Sequence, residues 1–399
     1  MCTSTSRNLV RVFFLQNKLK SQGSKSKTKL SRVHVIGAGV MGGDIAAYCA
    51  LRGLDVTLQD REQKYIDPAM QRSKKLFAKR IRDDADRAAA TNRLRSDVSG
   101  DGARDADLII EAIFENLEAK KSLYADVEQK MQPGAILASN TSSIRLEELR
   151  TELREPQRFI GIHFFNPVAS MPLVEVVRCN DTTQEALDAA FAFVKGIGKF
   201  PLECMSAPGF VVNRILAPYM AEAMHLVQEG VGLADIDEVA MAFGMPVGPI
   251  ELADNVGLDV VLHVSGVLGA RMDGPVPENL RGMVEAGNLG RKSGRGFYEW
   301  QDGKAQKPPR NPSSVPEDAE DRLVLAMVNE AVSCLADGVV TDPELLDAGV
   351  IFGTGFAPFR GGPLHYARER GVEAVTGRLE ALAAAHGDRF KPHAGWSSI

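Results

Sequence analysis

Arg32-Val-His-Val-Ile36 runs directly into Gly37-Ala-Gly-Val-Met-Gly42, and this stretch indicates the architecture of the first half of the chain. The short apolar run is typical of a buried β-strand, and the glycines that end it open a helix. In this context the first glycine permits a tight turn, the second lets backbone approach a pyrophosphate, and the third allows close helix–strand packing. The helix N-terminus also presents free N–H groups to an anion. The stretch predicts a dinucleotide site, although a glycine turn without a ligand remains the alternative. The expected contacts are Gly37, Gly39, Val40, Met41 and Gly42.

An acidic residue ends the second predicted strand. Asp55-Val-Thr-Leu-Gln-Asp60 is another short apolar run, and Asp60 follows Gly42 by 18 residues. A carboxylate at that point accepts a hydrogen bond from the ribose 2′-hydroxyl and repels a 2′-phosphate. The sequence therefore predicts NAD rather than NADP as the cofactor.

Strand-like and helix-like segments alternate up to about Pro208, and the chain beyond that point is mainly helical in pattern. Further strands are expected at 107–110, 135–138, 159–163 and 173–177, separated by helices such as 67–91. This alternation predicts an α/β, Rossmann-type, doubly wound and mostly parallel sheet.

The helical half contains an internal repeat. Residue pairs recur with an offset of 108: Asn213-Arg214 as Asp321-Arg322, Glu222-Ala223 as Glu330-Ala331, and Gly230 as Gly338. The repeat predicts a duplicated domain, so the sheet is followed by two all-α domains. The expected division is 1–31 (linker helix and basic tether), 32–205 (NAD-binding domain), 206–312 (first helical domain) and 313–399 (second helical domain).

Composition excludes several classes of protein. The net charge of -5 gives no reason to expect a nucleic-acid partner. No apolar run reaches the roughly 18 residues that a membrane span requires. The five cysteines are scattered and never form a CxxC pair: Cys2, Cys49, Cys179, Cys204 and Cys334. This pattern argues against a disulfide framework or a zinc site and suits a reducing compartment.

The first 31 residues are basic and have no acidic residue. The segment 6–20 carries an apolar stripe at helical spacing and predicts a linker helix, and 21–29 predicts a flexible basic tether. A transit peptide has a similar composition and remains the alternative.

His163 follows a predicted strand, and Glu175 lies on the next one. Imidazole is suited to take a proton from a hydroxyl that loses hydride, and a carboxylate at its second nitrogen would fix the tautomer. Spacing alone nevertheless favours a structural core histidine at this position.

Two polar clusters are open to more than one interpretation. Ser139-Asn-Thr-Ser-Ser143 could bind cofactor or substrate oxygens, or could cap the helix that starts near Leu146. Glu115 and Lys120 could face the nicotinamide ribose, but spacing favours a solvated charge pair.

Five motifs together resemble those of the L-3-hydroxyacyl-CoA dehydrogenases. They are Gly37-Ala-Gly-Val-Met-Gly42, Glu111-Ala-Ile-Phe-Glu-Asn116, Ser139-Asn-Thr-Ser-Ser143, His163-Phe-Phe-Asn-Pro167 and Pro208-Gly-Phe-Val-Val-Asn-Arg214. The resemblance covers about residues 32–366. It implies that NAD oxidises the 3-hydroxyl of an (S)-3-hydroxyacyl-CoA to 3-oxoacyl-CoA in fatty-acid β-oxidation.

The resemblance also implies roles for individual residues. His163 would be the general base for the 3-hydroxyl, and Glu175 would orient it. Ser142 and Asn213 would contact the reacting oxygens, and Ser142 would also contact the cofactor. Asn166 would lie near the nicotinamide, and three further residues would contact NAD: Glu115, Lys120 and Lys292. Ser73 would contact the CoA, although its match is weaker.

Two segments resemble the bacterial multifunctional β-oxidation α subunit, in which an enoyl-CoA hydratase half precedes the dehydrogenase half. Residues 7–16 are similar to the linker between the halves, and 351–363 are similar to the end of that fusion. We therefore expect a dehydrogenase without hydratase activity, either a split gene product or a fragment of a fusion. Its partners would be the acyl-CoA substrate and a thiolase subunit, and the duplicated helical domain would make it a monomer.

Two other functions remain as alternatives. One is a dehydrogenase of a free 3-hydroxy acid, whose Lys-based active site has no obvious counterpart here. The other is an NAD-binding assembly subunit without turnover, against which the full set of matching positions weighs.

Overall fold

A computed structural model describes residues 3–23, 30–268 and 278–399 of the 399-residue chain. The chain forms two compact units. The sheet unit is Asn17–Ala207, and the helical unit combines Met1–Gln16 with Pro208–Ile399. The helical unit includes both segments for which separate helical domains were expected, so the division between 312 and 313 stays a proposal.

One sheet dominates the sheet unit. Among its described residues, eight strands belong to this sheet: β1 (Arg32–Ile36), β2 (Asp55–Gln59), β3 (Leu94–Asp97), β4 (Leu108–Glu111), β5 (Ile136–Ser139), β6 (Ile160–Phe164), β7 (Leu173–Arg178) and β8 (Phe200–Met205). Their order is β3-β2-β1-β4-β5-β6-β7-β8, and β6–β7 is the antiparallel pair in an otherwise parallel sequence of neighbours. The predicted Rossmann-type, mostly parallel sheet is confirmed.

Helices of the crossover connections flank the sheet. They are α2 (Val40–Leu51), α3 (Gln63–Arg80), α4 (Asp84–Arg93), α5 (Leu117–Lys130), α6 (Leu146–Leu149) and α7 (Gln184–Gly196). The buried core combines aliphatic residues of the strands with Ile45 and the small residues Ala46 and Ala50 of α2. Small side chains on α2 allow that helix to lie close to β1, as the glycine pattern predicts.

The structure corrects the sequence prediction at three places. The single helix expected over 67–91 is two helices, α3 and α4. The edge strand β3 was missed because three of its four residues, Arg95, Ser96 and Asp97, are polar. The strand β8 was also missed, since Pro201 argues against a strand; β8 is an edge strand, where a residue without an N–H is tolerated.

The helical unit contains nine helices among its described residues from 208 onward. They are α8 (Val212–Gln228), α9 (Leu233–Phe243), α10 (Pro249–Val256), α11 (Leu258–Leu268), α12 (Glu278–Glu285), α13 (Ala319–Ala336), α14 (Pro343–Thr354), α15 (Pro363–Arg370) and α16 (Val372–His386). A small antiparallel hairpin of β9 (Glu299–Gln301) and β10 (Lys304–Gln306) interrupts this series.

The sequence repeat corresponds to an exchange of arginines between α8 and α13. Arg214 of α8 bonds to Glu330 and Asp337 at 2.5 and 2.7 Å, and Arg322 of α13 bonds to Glu222 and Glu229, each at 2.6 Å. Every residue of one set lies 108 positions from its counterpart in the other. Both guanidinium groups are almost fully buried. This reciprocal pairing supports the duplication that the sequence predicts.

The second repeat also has an acidic residue that stands where Asp237 stands in the first. Asp237 accepts hydrogen bonds from the backbone N–H groups that begin α10, and Asp347 does so for α15. Each carboxylate is buried and has a cation beside it: Lys307 lies 3.0 Å from Asp237, and Arg11 lies 3.0 Å from Asp347.

Arg11 belongs to the helix expected near the start of the chain, α1 (Ser4–Ser21). Asn8 of α1 donates to Glu369, and Leu15 and Leu19 are buried. The helix is thus packed into the fold, and its role as a linker stays a prediction. Residues 24–29 of the expected basic tether lie outside the described residues. Within the described ranges, no helix is both long and apolar enough to cross a bilayer.

Candidate functional site

The glycine-rich turn lies between β1 and α2 with the geometry that a dinucleotide requires. Gly37 has a φ of 102°, which favours glycine, and a side chain on Gly42 would collide with the Gly37 carbonyl oxygen. Gly39 has open space where a side chain would be, and Val40 is 57% exposed at the first turn of α2. The turn is therefore tightly packed at Gly37 and Gly42 and open to solvent at Gly39 and Val40, which leaves room for a pyrophosphate to approach the backbone.

Asp60 lies directly beside this turn. It follows the last residue of β2, and its carboxylate accepts hydrogen bonds from Ala38 N–H at 2.8 Å and from Arg61 N–H at 2.7 Å. The carboxylate is partly exposed. Its negative charge thus stands next to the turn, at the position that the sequence predicts for contact with a ribose.

His163 and Glu175 face each other across the antiparallel strands β6 and β7. They are paired in register, and His163 Nδ1 lies 2.7 Å from a carboxylate oxygen of Glu175. His163 is 5% exposed, and Glu175 is fully buried. When Nδ1 carries the proton and donates it in a hydrogen bond to the carboxylate, Nε2 is the nitrogen that can accept a proton. The pair therefore has the arrangement of an oriented general base.

His34 shows what an ordinary core histidine looks like in the same sheet. Its two ring nitrogens lie 2.7 Å from Thr57 Oγ1 and 2.8 Å from Gln59 Oε1, and burial lowers its pKa. It lies in the middle of β1, whereas His163 lies near the carboxyl end of β6, the edge where parallel sheets bind ligands. The two histidines thus differ in position along the strand and in hydrogen-bond partners, and His34 is the structural one, as expected from the sequence.

Glu115 anchors the loop 139–143. One of its carboxylate oxygens accepts hydrogen bonds from the Thr141 hydroxyl at 2.5 Å, from Ser142 N–H at 2.9 Å and from Ser143 N–H at 3.2 Å. Burial raises the pKa of Glu115, but Lys120 and the loop donors outweigh this effect, so the pKa lies below its usual value. The carboxylate is held charged and fixes the loop that presents Ser142.

Lys120 lies beneath this loop rather than on the surface. It is 1% exposed, and its ammonium group lies 2.6 Å from Glu111 and 3.2 Å from Glu115. Glu111 also accepts hydrogen bonds from Tyr124 at 2.5 Å and from Ser139 at 2.7 Å. The solvated charge pair that spacing favoured is wrong, because the pair belongs to a buried network. No role was predicted for Glu111 or Tyr124, because their contacts depend on α5 packing against β4.

The remaining predicted residues of the sheet unit differ in how accessible they are. Ser142 is partly exposed, and Asn166 is exposed in the loop that follows β6. Ser73 is 3% exposed on α3, and its hydroxyl donates to the Met70 carbonyl. That hydroxyl is buried and already donates a hydrogen bond, and the CoA contact at Ser73 stays an untested prediction.

Two predicted residues lie in the helical unit. Asn213 is partly exposed in the first turn of α8. Lys292 is exposed and lies 2.5 Å from a carboxylate oxygen of Asp259. Within its own unit Lys292 therefore already has an anionic partner.

Comparison with protein families matches the two parts of the chain that the motifs cover. Residues 32–207 match the family model "3-hydroxyacyl-CoA dehydrogenase, NAD binding domain", and residues 209–300 match "3-hydroxyacyl-CoA dehydrogenase, C-terminal domain". The prediction of NAD as the cofactor is thus confirmed, and its contacts with the glycine-rich turn stay a proposal.

Among curated proteins, the chain is 35% identical over 411 residues to the fatty acid oxidation complex subunit alpha of Vibrio vulnificus. The match covers 98% of this chain but 58% of that relative, so the chain spans little more than half of its length.

Solved structures give the same assignment. The chain is 38% identical to (S)-3-hydroxybutyryl-CoA dehydrogenase from Ralstonia eutropha, with 69% of this chain and 100% of that one covered and a TM-score of 0.62. It is 26% identical to 3-hydroxybutyryl-CoA dehydrogenase from Escherichia coli, with coverages of 93% and 98% and a TM-score of 0.79. The dehydrogenase part of multifunctional enzyme 1 from C. elegans is also 26% identical, with 99% of both chains covered and a TM-score of 0.71. The chain belongs to the 3-hydroxyacyl-CoA dehydrogenase family.

Proposed function

We propose that the chain oxidises the 3-hydroxyl of an (S)-3-hydroxyacyl-CoA to the 3-oxo thioester during fatty-acid β-oxidation. The observation that carries this proposal is the buried His163–Glu175 pair at the ligand-binding side of a sheet with an NAD-type glycine turn. The reaction removes a hydride from C3 and a proton from the hydroxyl. Bound NAD would supply the hydride acceptor.

The residues around the glycine turn fit that cofactor. Gly37, Gly39 and Gly42 would hold the pyrophosphate, Asp60 would bind the adenosine ribose, and Val40 and Met41 would flank the dinucleotide. Asn166 would lie near the nicotinamide from its exposed loop. Glu115 and Lys120 would act on the cofactor through the loop they hold rather than through exposed charges of their own.

His163 would take the hydroxyl proton onto Nε2. Glu175 would keep Nδ1 protonated and stabilise the positive charge that develops on the ring, because a buried carboxylate at 2.7 Å interacts strongly with an imidazolium. Ser142 would donate a hydrogen bond to the reacting oxygen, and we assign Asn213 the same task. This arrangement favours transfer of the hydroxyl proton to His163 as the hydride leaves C3.

A substrate panel tests the proposed specificity. NADH formation is measured with 3-hydroxybutyryl-CoA, with longer 3-hydroxyacyl-CoA homologues and with free 3-hydroxybutyrate. We expect turnover of the thioesters only, and the series also reports the preferred chain length. Turnover of the free acid at a comparable kcat/KM would favour the alternative class of free-acid dehydrogenases. Binding of NADH without any turnover would favour the non-catalytic assembly subunit.

We also propose that the chain corresponds to the dehydrogenase half of a larger β-oxidation enzyme that acts in the bacterial cytoplasm. The long match to the Vibrio vulnificus subunit supports this relation. The chain would be a monomer, since the exchange of Arg214 and Arg322 already pairs two helical repeats internally. A thiolase subunit would be its partner. Light scattering of the chain alone should give a monomer mass, and a stable homodimer would contradict this part.

Asp60 provides a prediction for cofactor choice. Asp60→Asn keeps an acceptor for Ala38 N–H but removes the charge that repels a 2′-phosphate. We expect kcat/KM with NADP to rise about tenfold or more, because like charges side by side cost several kcal/mol. The control is Asp55→Asn at the exposed start of the same strand. An unchanged ratio of NAD to NADP kcat/KM in Asp60→Asn would show that Asp60 does not select the cofactor.

A further inference from the structure

Lys199 has an ammonium group that is buried without a carboxylate. The residue is 4% exposed, and Nζ donates to the carbonyl oxygens of Val168 at 2.6 Å and Met171 at 2.5 Å. The face of the Tyr48 ring lies 4.2 Å from Nζ. No carboxylate of the described residues forms an ion pair with it. Two carbonyl dipoles and one aromatic face therefore hold a full positive charge.

Both carbonyls belong to the loop 165–172, which connects the two halves of the His163–Glu175 pair. The loop begins directly after β6 and ends directly before β7, so it starts two residues after His163 and ends three residues before Glu175. With eight residues it is long for a connection between antiparallel neighbours, where two to five are usual. Such a loop requires contacts beyond its own backbone to hold one conformation.

The loop contacts the site at its beginning. The Phe165 ring packs edge-on against the His163 imidazole, with ring centres 4.6 Å apart, and the exposed Asn166 follows. Within the loop, Ser170 and Met171 donate backbone hydrogen bonds to the Pro167 carbonyl. Lys199 bonds to the Val168 and Met171 carbonyls of the loop from the buried side. Arg80 of α3 forms a long hydrogen bond of 3.4 Å to the Ala169 carbonyl.

A buried unpaired charge is costly, so this arrangement calls for a physical reason. If the position only filled space, an apolar side chain of similar volume would do so without the cost of desolvating an ammonium group. An apolar side chain would, however, leave the carbonyls of Val168 and Met171 without their donor. What Lys199 adds is therefore a fixed position for the loop backbone.

We propose that Lys199 is a positioning residue of the dehydrogenase site, which holds the 165–172 loop so that Phe165 supports His163 and Asn166 faces the nicotinamide. The proposal rests on the proposed function, since it assigns Asn166 and His163 their roles. It adds to that function a residue that touches neither substrate nor cofactor.

The groups that face Lys199 define its titration. These are the Cys49 thiol and the Tyr48 ring of α2, with the Arg52 guanidinium just beyond the end of that helix. Burial lowers the pKa of Lys199 to about 8, although Cys49 opposes the change. The lysine in the unfolded chain has the ordinary pKa of 10.5, so the unfolded state binds more protons between pH 8 and 10.5. The contribution of Lys199 to the free energy of unfolding therefore rises from pH 8 to pH 10.5. Over the same range the ammonium group loses its proton, and its charged hydrogen bonds to the loop carbonyls are lost.

Lys195 offers a matched control four residues earlier. Its ammonium group also donates to two backbone carbonyls, Gln22 at 2.7 Å and Gly23 at 3.0 Å, but these lie far from the 165–172 loop in sequence and hold a different segment. The test compares Lys199→Met with Lys195→Met. Both changes remove an ammonium group that bonds to two carbonyls and keep a long side chain.

The kinetic readout is reduction of acetoacetyl-CoA with NADH. We expect Lys199→Met to lower kcat about tenfold or more with NADH affinity changed less than about threefold, because displaced reacting groups cost rate rather than binding. Lys195→Met should stay within about twofold of the wild type in kcat. As pH rises through about 8, wild-type Lys199 loses its charge, so the ratio of wild-type kcat to Lys199→Met kcat should fall. The thermal stability of the wild type should not fall over the same pH range. If Lys199 had only a structural role, the wild-type kcat would instead change with pH in the same direction as the thermal stability.

Hydrogen exchange of a peptide covering 164–172 gives a readout that needs no turnover. Its amides should exchange faster in Lys199→Met and at the wild-type rate in Lys195→Met. Unchanged exchange and a kcat within twofold of the wild type in Lys199→Met would overturn the proposal. A wild-type chain that never reduces acetoacetyl-CoA would contradict the proposed function instead, and the exchange measurement would still decide whether Lys199 holds the loop.

Discussion

His163→Gln is expected to lower kcat for acetoacetyl-CoA reduction by about 10²- to 10⁴-fold, the range that a positioned general acid or base contributes. Glutamine is similar in length and can hydrogen-bond to Glu175, but it cannot exchange a proton near neutral pH. The glycine turn follows β1 and Asp60 follows β2, whereas the His163–Glu175 pair lies on β6 and β7. NADH affinity, measured by fluorescence titration, should therefore stay within about twofold of the wild type.

Glu175→Gln separates orientation from charge in the same pair. The amide oxygen still accepts a hydrogen bond from Nδ1, so the imidazole keeps its orientation, but the buried charge that stabilises the imidazolium is lost. A decrease in kcat of about 10- to 100-fold, smaller than that of His163→Gln, is expected. If His163→Gln retained wild-type turnover, the assignment of the general base would be wrong.

Arg11→Met is expected to cost about 3–5 kcal/mol of folding free energy at pH 8, as removal of one partner of a buried ion pair usually does. Asp347 is fully buried, and Arg11 Nη2 lies 3.0 Å from its carboxylate. Without Arg11, that carboxylate keeps its bonds to the N–H groups of Leu364 and His365 but loses its nearest cation.

The cost should depend on pH in a defined direction. Burial raises the pKa of Asp347 from 3.8 to about 7, against the opposing effects of the Leu364 N–H and of Arg11. The folded chain therefore binds this proton more tightly than the unfolded chain, and stability falls as pH rises from about 4 to about 7. Removing Arg11 penalises the charged form of Asp347 but not its protonated form, so this part of the loss should be smaller at pH 5 than at pH 8. The bonds of Arg11 to Glu344 and to the Gly361 carbonyl are lost at both pH values.

Urea unfolding at pH 5 and pH 8 measures both effects. Arg7→Met on the same helix is the control, since Arg7 is exposed, and its change should stay within about 0.5 kcal/mol. An equal loss for Arg11→Met at the two pH values would mean that the helix contributes packing at this position rather than charge.

Local sequence patterns predict the features that local chemistry determines. The glycine turn and Asp60 were placed correctly because strand, turn and acid follow one another within 29 residues, from 32 to 60. The offset of 108 identified equivalent positions such as Arg214 and Arg322. It did not predict that each arginine pairs with the acidic residues of the other repeat, because that pairing depends on how two distant helices meet.

Features that depend on strand direction and burial were not predictable in the same way. Spacing could not show that His163 faces Glu175, because their register exists only if β6 and β7 are antiparallel. Lys120 is buried because α5 packs against Glu111 of β4. Spacing along the chain does not show this packing and therefore favoured a solvated pair. Lys199 gave no signal at all, since a single lysine before a strand is ordinary in sequence and unusual only once its carbonyl partners are known.

The most direct test of the central claim is NADH oxidation by the purified 399-residue chain in the presence of acetoacetyl-CoA. The His163–Glu175 pair and the NAD-type turn predict saturable oxidation that requires the thioester and is not supported by free acetoacetate. Tight NADH binding with no oxidation at any acetoacetyl-CoA concentration would contradict the account.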